Sequence, residues 1–127
     1  MRYPISIEIG SDNTAYGVVV PDLPGCFSAG DTLDEAVINA EEAIIAWIET
    51  ALDAGQEIPR PSTLETIRAL PDYHDWAFGL VTVDPGVLDN TIERVNISIP
   101  RRVLFRLDQR AKAEGETRSG LIAKLAL

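Results

Sequence analysis

The stretch Arg94-Val95-Asn96-Ile97-Ser98-Ile99-Pro100 constrains the fold more than any other part of this chain. Valine and isoleucine alternate there with arginine, asparagine and serine, and a β-strand sends two such sets to opposite faces. Pro100 closes the strand and suits the first turn of a helix. Val103, Leu104, Leu107 and Ala111 then recur at helical spacing, Gly115 suits the position just past a helix end, and Thr117 can cap a second helix carrying Leu121, Ile122 and Leu125 inward. One strand and two short helices bury too little apolar surface to stand alone, because segments below about 40 residues usually need a partner chain, a metal or disulfides. The strand's backbone groups also lack a ladder mate. Pairing with the same strand of a second copy resolves both shortages and predicts a homodimer, with a tetramer as the larger alternative.

Charge divides the chain at the same place. Arg94 to Leu127 holds eight basic residues against three acidic ones, net +5, whereas Met1 to Glu93 holds three basic against seventeen acidic, net −14. An acidic body that repels nucleic acid is thus joined to a basic end that attracts it. A two-stranded ribbon fits the major groove and would present Arg94, Asn96 and Ser98 twice about a dyad. Arginine can bond guanine bidentately, asparagine adenine, and serine either. Thr117, Arg118 and Ser119, at the start of the second helix, offer backbone N–H groups and a partial positive charge to a phosphate. Arg94, Asn96, Ser98, Thr117, Arg118 and Ser119 are therefore the predicted DNA-binding residues, in an arrangement that resembles the ribbon-helix-helix family of repressors.

The remainder reads as three strands, a helix, a short helix and a last strand. Tyr3 to Ile9 alternates, Ala15 to Val20 is β-branched and aromatic, and Cys26 to Ala29 follows the Pro21, Pro24 and Gly25 breaks. Thr32 and Glu35 form a capping box, and Leu33, Val37, Ala40, Ile44, Trp47, Ile48, Ala51 and Leu52 make one helical stripe opposite Asp34, Glu35, Glu41, Glu42 and Glu49. Gly55 ends this helix and Pro59 and Pro61 stop it resuming. Ser62 and Glu65 predict a second capping box, and Trp76 to Val83 a closing strand. The expected boundaries are 1–84 for the body, 85–93 for a linker and 94–127 for the basic domain.

Tyr16 to Phe27 reads YGVVVPDLPGCF, Ser28 to Ala36 reads SAGDTLDEA, and Asn39 to Ala43 reads NAEEA; Ile58 to Ser62 adds IPRPS. This succession resembles the HicB antitoxin family over nearly all of Met1 to Val83. The resemblance implies an α+β chain: a partial RNase H-like body that neutralises HicA, a small RNA-cleaving toxin, and a ribbon-helix-helix tail that binds operator DNA and represses the toxin–antitoxin operon. An acidic body is a reasonable electrostatic mimic of the RNA such a toxin grips. Which body residues meet the toxin is not legible at this level.

Two alternatives come from other classes: a ligand-responsive repressor without a toxin partner, and a metal-dependent nuclease using Glu8, Asp12, Asp22 and Asp31. The three aspartates stand in a turn, a Pro-bounded loop and a helix start, where aspartate serves the backbone. No catalytic residue, metal site or cofactor is expected, and the chain is not expected to be an enzyme. His74 reads as a surface residue, Cys26 as a small buried one, and Trp47 and Trp76 as core. A single cysteine, no signal-peptide-like start and no bilayer-length apolar run predict a cytoplasmic location and no membrane association.

Overall fold

The computed structural model describes residues 1–127, which divide into two compact units, Met1–Asn90 and Thr91–Leu127. In the first, β1 (Arg2–Glu8), β2 (Tyr16–Val19), β3 (Phe27–Gly30) and β4 (Ala77–Thr82) form one antiparallel sheet in the order β3-β2-β1-β4. The helix α1 (Leu33–Asp53) packs on it, and the five-residue α2 (Leu64–Arg68) contacts β1 and β4. No helix is long and apolar enough to cross a membrane.

Period-two alternation places one core row of β1, although Pro4 and Ser6 on its other face are buried as well, because β1 is an interior strand of the sheet. Tyr3, Ile5 and Ile7 of β1, Val18 of β2 and Val81 of β4 meet Ala36, Ala40, Ile44 and Ile48 of α1 in one buried cluster. The small residues of α1 allow close approach to the sheet. Gly30 marks the tightest point, since a Cβ there would stand 2.5 Å from the backbone nitrogen of Ala36. Ile9, expected to continue the buried row, lies beyond β1 and is exposed, as is Leu33 at the first turn of α1.

Local signals place the helix ends. Thr32 caps α1 by accepting from the Glu35 N–H at 3.1 Å, while the Glu35 carboxylate reaches back to the Asp31 N–H at 3.3 Å. Gly55, at φ +69°, follows the helix, and the Gln56 N–H returns to Ala51 O at 2.8 Å. The second capping box is displaced by one residue. Thr63, not Ser62, caps α2, because Ser62 is committed to Asp22: its N–H and hydroxyl donate to the two carboxylate oxygens at 2.8 and 2.6 Å.

Two further differences have physical causes. Within the expected linker, Pro85–Leu88 forms a 3₁₀ turn capped by Asp84, and Val87 and Leu88 pack against the body's core. Apolar side chains that find a core do not behave as a tether. Trp76 is not in that core; it is half-buried with its ring edge-on to Tyr73 at a centroid distance of 5.2 Å, while Trp47 packs beside the core and donates to Pro24 O at 2.9 Å.

The second unit contains α3 (Arg101–Ala113) and α4 (Arg118–Leu125), joined at Gly115 (φ +68°) and capped at Thr117, whose hydroxyl accepts from the Gly120 N–H at 3.0 Å. The strand expected over Arg94–Pro100 has no ladder in the single chain. A strand whose hydrogen-bonding mate would belong to another copy cannot be completed within one chain.

Candidate functional site

In the Thr91–Leu127 unit only Ala111 and Leu121 are fully buried. Leu104, Leu107 and Ile122 are half-buried, while Ile92, Val95, Ile97, Val103, Phe105 and Leu125 are exposed. A helix pair of this size with two buried side chains leaves most of its apolar surface in water.

The predicted DNA-binding residues are partly brought together. Asn96, Arg118 and Ser119 line one hollow of about 340 Å³ with Val95, Ile97, Ile99, Leu104 and Ile122. Arg94 and Ser119 line a neighbouring hollow of about 470 Å³. Ser98 and Thr117 line neither. Arg94, Asn96 and Ser98 are all exposed. Arg118 is occupied: its Nε and Nη2 donate to the two oxygens of Asp108, both at 2.9 Å. That hydrogen bond, with the cationic charge behind it, holds the Asp108 carboxyl below the usual carboxylate range and lifts the guanidinium above its ordinary value. Glu114 and Glu116 approach Lys124, and Glu114 also approaches Arg110, across exposed positions worth little individually.

The carboxylates weighed for a metal-dependent nuclease, Glu8, Asp12, Asp22 and Asp31, are not gathered at one place. No set of three or more His, Cys, Asp or Glu side chains converges. Asp12 and Asp31 line one small polar hollow, but Asp22 is bound to Ser62 and Glu8 lies elsewhere. Asp22 also stands close enough to Tyr3 that, after burial itself, its charge pushes the phenol pKa up; the Tyr3 hydroxyl donates to Pro59 O at 2.7 Å. Cys26 is buried, and burial raises its thiol pKa, so the reactive thiolate is disfavoured. His74 is exposed beside Asp75 at 3.5 Å.

Two side chains went unmarked in the sequence. Ile38 and Ile45 stand on the solvent side of α1, 55% and 36% exposed, among carboxylates. Their signal was available, since both fall outside the buried stripe at a spacing of one heptad.

The sequence model described as HicB-like antitoxin of bacterial toxin-antitoxin system matches residues 3–126 of this chain. The chain belongs to the HicB-like antitoxin family. Among similar HicB-like and related chains, an uncharacterized 14.9 kDa protein from the rep-hol intergenic region of Haemophilus phage HP1 is 43% identical over 128 residues, covering 99% of this chain and 95% of the relative. The crystal structure of the Burkholderia pseudomallei antitoxin HicB superposes with a TM-score of 0.65 at 42% identity, covering 99% of this chain and 96% of that one. A chain of a HicA3 and HicB3 toxin-antitoxin complex matches at 32% identity and a TM-score of 0.58, over 67% of this chain and all of that one. The HicB-like architecture is thus α+β, with a four-stranded antiparallel sheet and helices.

Proposed function

We propose that this HicB-like antitoxin neutralises a small basic, RNA-cleaving toxin of the HicA type through its acidic body. We further propose that it represses its own operon as a dimer paired along Arg94–Pro100, the ribbon of a ribbon-helix-helix domain spanning 94–127. A related HicB-like chain occurs in a complex with HicA3, which supports the toxin half of this reading. The three-strand meander followed by α1 supports describing the body, 1–84, as partial RNase H-like. On this reading the chain works by binding rather than by catalysis, and meets both proposed partners, toxin and operator, in the cytoplasm.

The observation that carries the DNA-binding half is the surface of the Thr91–Leu127 unit, where Val95 and Ile97 are exposed in alternation with Arg94, Asn96 and Ser98. Covering the apolar row with a second copy would bury it and complete the ladder, leaving the polar row for base edges. A single test addresses both consequences: Ile97→Asp should reduce the full-length chain to a smaller species by light scattering and abolish binding to its own promoter. An unchanged mass with full promoter binding would defeat the paired-strand reading.

A further inference from the structure

The solvent face of α1 departs from what an amphipathic helix requires. At about 100° per residue, Asp34, Ile38, Glu41, Glu42, Ile45 and Glu49 fall within one exposed arc of roughly 100° that borders the buried stripe of Ala40, Ile44, Ile48 and Ala51. Ile38 and Ile45 lie at its centre, two turns and about 10 Å apart along the axis. Asp34 and Glu41 flank them on one side, Glu42 and Glu49 on the other. The helix carries six carboxylates and no basic residue, and none of the six forms an ion pair; only Glu35 is engaged, by the Asp31 N–H. Solvation accounts for the carboxylates of such a face. It does not account for two isoleucines placed in water among them.

We propose that this face of α1 is the toxin-docking surface, with Ile38 and Ile45 as apolar anchors and Asp34, Glu41, Glu42 and Glu49 as the acidic rim. The proposal rests on the antitoxin reading and gives it a location. Charge complementarity selects the occupant: a protein that grips RNA must display cations, and an acidic rim steers such a partner and holds its register. Two isoleucines at the centre supply the desolvated contact from which most binding energy comes. A second copy presenting the same helix would set carboxylates against carboxylates. A second copy's basic end is a poorer occupant, because its exposed valine and isoleucine are those the paired strands cover.

The test uses the full-length chain and the purified product of the adjacent reading frame, in isothermal titration at two salt concentrations. Ile38→Arg/Ile45→Arg should weaken binding at least roughly tenfold with the thermal midpoint unchanged, both positions being exposed. Glu41→Gln/Glu42→Gln should weaken binding at the lower salt concentration and flatten its salt dependence. Leu80→Arg, an exposed apolar residue on β4, is the control and should bind as the parent does. Undiminished binding by the double arginine variant, or loss of binding by Leu80→Arg instead, would overturn the location and leave the antitoxin reading standing. A parent chain that does not bind the product at all would remove both. A double variant that shrinks in mass without toxin would assign the face to a second copy and overturn the proposal as well.

Discussion

Arg118, the first residue of α4, and Asp108, in the third turn of α3, are joined by two parallel hydrogen bonds of 2.9 Å, and this pair ties the two helices of the basic unit together. A bidentate guanidinium–carboxylate contact fixes orientation as well as distance. Arg118 thus has two tasks to reconcile, one towards Asp108 and one, in the DNA-binding reading, towards a phosphate. Asp108→Asn separates them: if Arg118 meets phosphate, releasing the guanidinium leaves promoter binding intact or tighter, whereas a purely internal role makes Asp108→Asn and Arg118→Ala equally damaging. Arg118→Ala itself should weaken specific and random DNA alike.

The same pair gives the basic unit an acid sensitivity. Because the Asp108 carboxyl is lowered in the folded chain, first by its hydrogen bond to Arg118, its contribution to stability is present above the ordinary carboxylate range and is lost as pH falls through the lowered value. In Arg118→Gln, the carboxyl ¹³C titration midpoint of Asp108 should move up towards the ordinary aspartate value. A midpoint that stays where it was would show that the guanidinium is not its cause.

Arg94 should behave unlike Arg118. If its guanidinium reads a base edge, Arg94→Ala relaxes choice at one base pair in each half-site, with a discrimination loss of about 1–3 kcal/mol. Competition binding with single-base operator variants measures this. Equal losses on operator and random DNA would make Arg94 a phosphate contact instead.

Asp22 and Ser62 connect the loop after β2 to the segment before α2, forty residues later. Two hydrogen bonds to a partly buried carboxylate predict that Asp22→Ala destabilises the body by about 1.5–3 kcal/mol, and that Ser62→Ala, which keeps the backbone bond, costs less. Urea unfolding should show a lower midpoint at unchanged slope. Equal midpoints for the parent and Asp22→Ala would show that the clamp contributes nothing.

Ser6 offers the opposite case. It is fully buried in the central strand and its hydroxyl has no hydrogen-bond partner. Ser6→Ala removes a desolvated group without opening a sizeable cavity, so stability should hold or rise by up to about 1–3 kcal/mol. A clear drop in the urea midpoint would reveal a role for the hydroxyl that the contacts do not show.

Gly30 sets the distance between β3 and α1. Gly30→Ala would place a methyl group 2.5 Å from the Ala36 backbone nitrogen, and backbone cannot rotate out of the way as a side chain can. Overpacking of this kind should cost about 1–3 kcal/mol, read as a lower thermal midpoint.

Whatever is decided within one or two turns of chain could be taken from the sequence alone. Thr32 and Glu35, Gly55, and Gly115 with Thr117 place their helix ends as their residue types dictate, because capping bonds span only three to five residues. The strand over Tyr3 to Ile7 was equally visible, as was the lack of a ladder mate for Arg94 to Pro100 within one chain; that Pro4 and Ser6 are buried too was not. Tertiary structure alone decided the rest: that Asp22 takes Ser62 away from its cap, that Asp108 occupies Arg118, and that Val87 and Leu88 join the core. Each of these depends on which surfaces meet once the elements pack. A local pattern can make a residue available for a contact; the distant partner that takes it is set by the whole fold.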